Sequence, residues 1–200
     1  MRSYIPYVVL SSALVQATTF RPQDAPPGTQ LLNVVFNGNG CPTGGATSWS
    51  STLNGTLSFL TPELKATSGR DIPRAERRKV CQANFSVAYP TGWQFGVKRV
   101  RWSGYADLAS GVSAVATGFV YFSGETDDKI WVMNLDGELH KGYTAAYEPA
   151  SASDVSWSAC SGREAALNVK VESRFEKPSD NSLSSITIDE FDTQIQWRQC

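Results

Sequence analysis

Six carboxylates fall in stretches that read as turns: Asp107, Glu125, Asp127, Asp128, Asp136 and Glu138. Two carboxyl groups held across a cleft can hydrolyse a glycosidic bond, one as acid and the other as base or nucleophile. Turn carboxylates also do plainer work, and Asp107 can bond the backbone N–H groups of its own turn. Glu125, Asp127 and Asp128 supply hard oxygens for calcium, but their spacing is not that of an EF-hand loop. His140 is the only histidine, so a metal site built on several histidines is excluded. No Gly-x-Ser-x-Gly turn accompanies it to make a triad. His140 reads as an exposed turn residue beside Lys141. The expectation is a non-enzymatic protein with no catalytic residue, no metal and no cofactor. A glycoside hydrolase-like enzyme with a carboxylate pair is the more remote alternative.

Binding chemistry has more candidates. Asn54-Gly55-Thr56 and Asn84-Phe85-Ser86 are acceptor sequons for N-glycosylation, and glycans are expected on Asn54 and Asn84. The stretch Arg70 to Lys79 gathers Arg70, Arg74, Arg77, Arg78 and Lys79. It reads as a solvated loop; contact with an anionic polymer, or cleavage at the dibasic Arg77-Arg78, is the alternative. Six tryptophans and seven tyrosines offer flat faces on which sugar rings stack. Trp93, Trp102 and Trp197 sit in register with apolar neighbours and belong to a core. Trp49 and Trp157, flanked by serines, are the candidate ligand-binding aromatics.

The chain that must position these residues has 200 positions. Residues 1–17 read as a secretory signal peptide: Arg2, then an apolar run from Ile5 to Leu14, then Val15-Gln16-Ala17 with small residues at −3 and −1. The apolar run falls short of the roughly 20 residues a membrane span needs. Removing Arg2 with the leader leaves 17 basic and 19 acidic residues, a net charge of −2. Such a balance exerts no general pull on nucleic acid. Cys41, Cys81, Cys160 and Cys200 are separated by 40, 79 and 40 residues. Four cysteines in an exported chain imply two disulfides, for which three pairings exist. The expected pairing is Cys41–Cys81 and Cys160–Cys200. Each closes a loop of about 40 residues, worth about 4 kcal/mol in the chain-entropy model.

Residues 18–29 carry Pro22, Pro26 and Pro27 and read as a flexible arm. From residue 30 to 200 the pattern is that of a single domain of about ten strands. The clearest pair runs from Trp93 to Phe122 around a turn expected at 106–111. Its first strand is apolar at Trp93, Phe95 and Val97, then at Val100 and Trp102. That change of parity requires an extra residue near Lys98-Arg99, a β-bulge. Cys81, Ala83, Phe85, Val87 and Tyr89 alternate, as do Leu167, Val169 and Val171, whose neighbours Asn168, Lys170, Glu172 and Arg174 are expected to face water. Asn54-Gly55 and Asp136-Gly137 signal hairpins. No window has helical periodicity with a cap and a stop. The fold class expected is all-β, a two-layer antiparallel sandwich with two disulfides.

Several motifs, taken in order, resemble a known family. They are Asn37-Gly38-Asn39-Gly40-Cys41-Pro42, Arg78-Lys79-Val80-Cys81-Gln82, Tyr89-Pro90 with Gly92-Trp93-Gln94-Phe95, Gly104-Tyr105-Ala106-Asp107-Leu108 with Gly111-Val112, and Trp197-Arg198-Gln199-Cys200. Together they resemble the fungal secreted proteins grouped as domain of unknown function 4360, from about Val34 to Cys200. The resemblance implies a filamentous fungal origin, an extracellular destination and a β-rich fold with four cysteines. It brings no catalytic residues. The expected role is contact outside the cell, at the wall or at a host interface as an effector, with a carbohydrate-binding module as the alternative. The expected partners are a cell-wall polysaccharide or a host extracellular protein, with no nucleic acid and no membrane, and the expected state is a monomer.

Overall fold

The computed structural model describes residues 25–41, 48–51, 55–61, 64–160 and 163–200. The expected leader and most of the expected arm lie outside them. Twelve strands make up the regular structure of the described residues, with two short 3-10 turns at Arg74–Arg77 and Ala152–Asp154. One sheet has five strands, in the spatial order β1 (Gln30–Asn37), β5 (Arg78–Ala88), β10 (Glu164–Lys177), β7 (Ser113–Phe122) and β8 (Lys129–Asp136). The other has seven: β2 (Ser48–Ser51), β3 (Thr56–Leu60), β12 (Glu190–Gln199), β6 (Trp93–Leu108), β11 (Ser184–Thr187), β4 (Lys65–Ser68) and β9 (Leu139–Tyr147). In this sheet β12 and then β11 follow one edge of β6, and β9 runs along its other edge. All ladders are antiparallel. The protein is the expected all-β sandwich.

The two inner faces meet in an aromatic core. Phe59 stacks on Phe191 at 4.9 Å between ring centroids, and Phe95 lies 5.0 Å from Trp197 and 5.1 Å from Phe122. Such pairs add to the burial of their area. Cys81, Ala83, Phe85 and Val87 of β5 and Leu167, Val169 and Val171 of β10 fill the other wall, as their alternation predicts. The disulfides are Cys41–Cys81 and Cys160–Cys200, with Cα atoms 5.1 and 6.0 Å apart.

The bulge is where the parity places it. The ladder between β6 and β12 shifts between Gln194 and Ile195, opposite Lys98. Beyond it Val100, Trp102, Ala106 and Leu108 point inward and are all but fully buried.

Three expectations are corrected. The turn expected at 106–111 begins later, because Ala106 and Leu108 continue the apolar alternation and pair with Lys141 and Leu139 of β9. Asp107 is therefore a strand residue, and the turn closes with the Val112 N–H donating to Ala109 O at 3.1 Å. Asp136-Gly137 makes no hairpin: β8 joins β7 in one sheet and β9 joins β6 in the other. Gly137 donates its N–H to Val112 O, and a Cβ there would sit 2.1 Å from Ala109 O. The chain crosses from sheet to sheet in close contact with the β6–β7 turn, so Asp136 ends β8 and His140 lies in β9. Asn168 and Glu172 point outward from β10 as expected but are each 3% exposed, because hydrogen bonds and ion pairs close over them. The described residues hold twelve strands where the pattern predicts about ten, the short β2, β3, β4 and β11 being separate.

Candidate functional site

The bulge at Lys98 decides what β6 shows to solvent. After it, the odd-numbered residues Arg99, Arg101, Ser103, Tyr105 and Asp107 all face outward in one line. Successive members are about 7 Å apart and the line spans about 27 Å. Arg99 is level with Gln194 of β12 and, one strand on, with Thr56 of β3; Arg101 is level with Asp192 and Ser58. These six residues line a groove of about 290 Å³. Arg99 donates from Nε to Glu148 Oε1 at 3.1 Å. Arg101 makes no ion pair with any described residue, although Asp192 lies directly across from it.

Further along the line Tyr105 is 46% exposed. Its neighbour across the ladder is Gly142, where a Cβ would meet only Gly104 O at 3.7 Å. The space beside the ring is therefore open. At the far end Asp107 Oδ1 lies 2.6 Å from His140 Nδ1, and Glu138 Oε1 lies 3.8 Å from Nε2. All three side chains are more than half exposed.

The opposite outer face, on the five-stranded sheet, carries a polar cluster over β5, β10 and β7 whose groups are spent on one another, with Val35, Ile130 and Val132 exposed toward its edges. Gln82 Nε2 donates to Asn168 Oδ1 at 3.0 Å and to Tyr121 Oη at 3.2 Å. Asn84 Nδ2 donates to the same Asn168 oxygen, and Asn168 Nδ2 donates to Ser123 Oγ. Glu172 accepts from Arg78 at 2.8 Å, with Arg174 Nε at 3.6 Å. The hydrogen bond to Glu172, and then its charge, raise the Arg78 guanidinium above its usual range. Lys170 sits 3.8 Å over the Phe119 ring.

The sequence matches the family model "Domain of unknown function (DUF4360)" over residues 27–200. The chain belongs to that family. It is 30% identical over 181 residues to an "Uncharacterized secreted protein" of Arthroderma benhamiae, covering 88% of this chain and 73% of the relative. This DUF4360 protein is secreted, and its two disulfides suit an oxidising compartment. A solved complex of TmCBM61 with β-1,4-galactotriose overlaps 86% of this chain and 91% of its own, at 8% identity and a TM-score of 0.33. An overlap that loose bears on neither the fold nor the ligand.

Most motifs that carry the DUF4360 resemblance brace the disulfides. Asn39 donates from Nδ2 to Arg78 O and accepts from the Val80 N–H, holding the Cys41 loop to the start of β5. Arg198 hydrogen-bonds Gln94 Oε1 and caps the Trp157 ring at 3.8 Å, next to Cys160–Cys200. Burial lowers the Arg198 guanidinium. The motif Gly104-Tyr105-Ala106-Asp107-Leu108 instead reaches the candidate site.

The residues singled out from sequence are scattered. Asn54 lies outside the described residues. Asn84 is half-buried in β5, with Nδ2 engaged by Asn168. Trp157 is half-buried under Arg198 and bridges to Gly96. Trp49 is placed by its backbone alone, across from Phe59. Of the six carboxylates the fold gathers Asp107 and Glu138 around His140, and leaves Asp127 paired with Lys129 at 2.6 Å. Among the described residues no three His, Cys, Asp or Glu side chains are grouped to hold a metal ion. The basic stretch is partly neutralised: Arg77 pairs with Asp180, Arg78 with Glu172, and Lys79 with Glu76. Sequence reasoning passed over Arg99, Arg101, Tyr105, Asp192 and Gln194. The parity change at Lys98 was the available signal for the first three.

Proposed function

We propose that this secreted protein is a non-catalytic binding protein that lays the outer face of its seven-stranded sheet on a cell-wall polysaccharide. One observation carries the reading. Arg101 and Asp192 are cross-strand neighbours in one groove and form no ion pair, with the exposed Tyr105 ring farther along the same strand as Arg101. Open polar groups in line with an exposed aromatic ring suit a hydroxyl-rich polymer, whose rings stack and whose hydroxyls bond. The other outer face, with its amides and charges mutually satisfied, offers less to a ligand.

The test is retention of the purified mature protein on insoluble fungal and plant wall fractions, in parallel with an Arg101→Ala/Tyr105→Ala variant. Retention is expected for the wild type and not for the variant, with both melting alike. If no fraction retains the wild type, or the variant is retained equally, the reading is wrong. The fraction that holds the protein also separates a role at the fungal wall from one at a host surface.

A further inference from the structure

A polysaccharide ligand on this face, which the reading above supplies, is further defined by the charges it would meet. Arg99 is opposed by Glu148, Arg101 by Asp192, and the next row holds Glu190 opposite Ser103. Lys98 is exposed in the bulge beside them. The groove and the residues around it thus present both signs in near balance, which gives an anionic chain little net attraction and sets carboxylates against it.

The facing pair is more specific than the balance. A guanidinium only donates and a carboxylate only accepts. A hydroxyl does both, so one sugar hydroxyl can accept from Arg101 while donating to Asp192. A carboxylate or phosphate on the ligand could satisfy Arg101 but would leave Asp192 without a donor. From the geometry we infer that the ligand is a neutral, extended glycan lying along β6. One ring is read through its hydroxyls by Arg101 and Asp192, with Gln194 and Arg99 beside it. Another stacks on Tyr105, four residues along the strand and about 14 Å away. At about 5 Å per sugar, a chain must reach about four units to engage both places at this strand spacing.

Calorimetric titration of the intact mature protein tests this. The probes are the neutral and acidic oligosaccharides released from the wall fraction that retains it, sized from two to six units. Neutral oligosaccharides are expected to bind more tightly up to about four units and then level off. Their affinity should change less than about threefold between 50 and 300 mM salt. Asp192→Asn and Tyr105→Ala should each weaken binding about tenfold, the second also abolishing the gain beyond two units. Ile130→Ser, on the opposite sheet, should leave binding unchanged. Tighter binding of the acidic series, a steep loss with salt, or the absence of any length dependence would overturn the inference and leave the polysaccharide reading standing. Failure of every wall fraction to retain the protein would remove both.

Discussion

Gly104 and Gly142 sit one position apart in the ladder between β6 and β9, and replacing each by alanine should have opposite results. A Cβ on Gly104 would lie 2.1 Å from Thr187 O and 2.8 Å from Thr187 C, where contacts under 3.0 Å essentially never occur. The obstruction is backbone, so β11 must move off β6 by about 1 Å, an overpacking that costs about 1–3 kcal/mol. Thr187 also accepts two hydrogen bonds, from Tyr143 Oη at 2.5 Å to its carbonyl and from the Tyr105 N–H at 2.9 Å to its hydroxyl. Straining them adds about 1 kcal/mol. A loss of about 2–4 kcal/mol lowers the melting temperature of a domain this size by about 5–15 °C. Gly142→Ala meets only an oxygen at 3.7 Å and removes the entropic handicap of a strand glycine, a gain of about 0.5–1 kcal/mol. Paired thermal melts followed by far-ultraviolet circular dichroism measure both. The reasoning is refuted if Gly104→Ala melts within 2 °C of the wild type, or if Gly142→Ala falls as far as Gly104→Ala.

Tyr143 supplies a pH test. Burial, and secondarily the Asp189 carboxylate, push its phenol well above the usual range of a tyrosine. The folded state therefore holds this proton more tightly than the unfolded chain does, so the contribution to stability is complete below about pH 10 and is lost as pH rises past it. Tyr143→Phe should be less stable at pH 7 by about 1–2 kcal/mol, since Thr187 O loses its donor, and should lose less stability than the wild type above pH 10 in urea titrations. At Arg77-Arg78 the second arginine already belongs to β5 and pairs with Arg174 of β10. A dibasic-specific protease should leave the folded chain intact on a reducing gel, and rapid cutting there would show the β5–β10 ladder to be open. Replacing Cys41 and Cys81 together by serine should cost about 4 kcal/mol, less any relief of strain, by chemical denaturation. A change under about 1 kcal/mol would mean that the unfolded chain gains little freedom from losing that cross-link.

The sequence shows most where the physics is local. Alternation along β5 and β10 marks their core faces, and the parity break at Lys98 marks the bulge, because a strand has only two faces and a slip of one residue is visible in the residues themselves. It fails where a distant contact decides. Asp136-Gly137 has the composition of a hairpin turn, yet the chain passes Gly137 close against the carbonyl of Ala109 and crosses into the other sheet. Glu172 has the composition of a surface residue, yet Arg78, far off in sequence, closes over it. The candidate site lies between these cases. That Arg99, Arg101 and Tyr105 share a face follows from the bulge, but that Asp192 stands opposite Arg101 depends on the register of β12, which Phe191, Ile195 and Trp197 fix by filling the core. The bulge and that register together leave a donor facing an acceptor unjoined. A register one residue away would turn Asp192 inward among Phe59 and Trp102, which the cost of burying an unpaired carboxylate forbids. Packing on the inner face thus determines what the outer face offers a ligand.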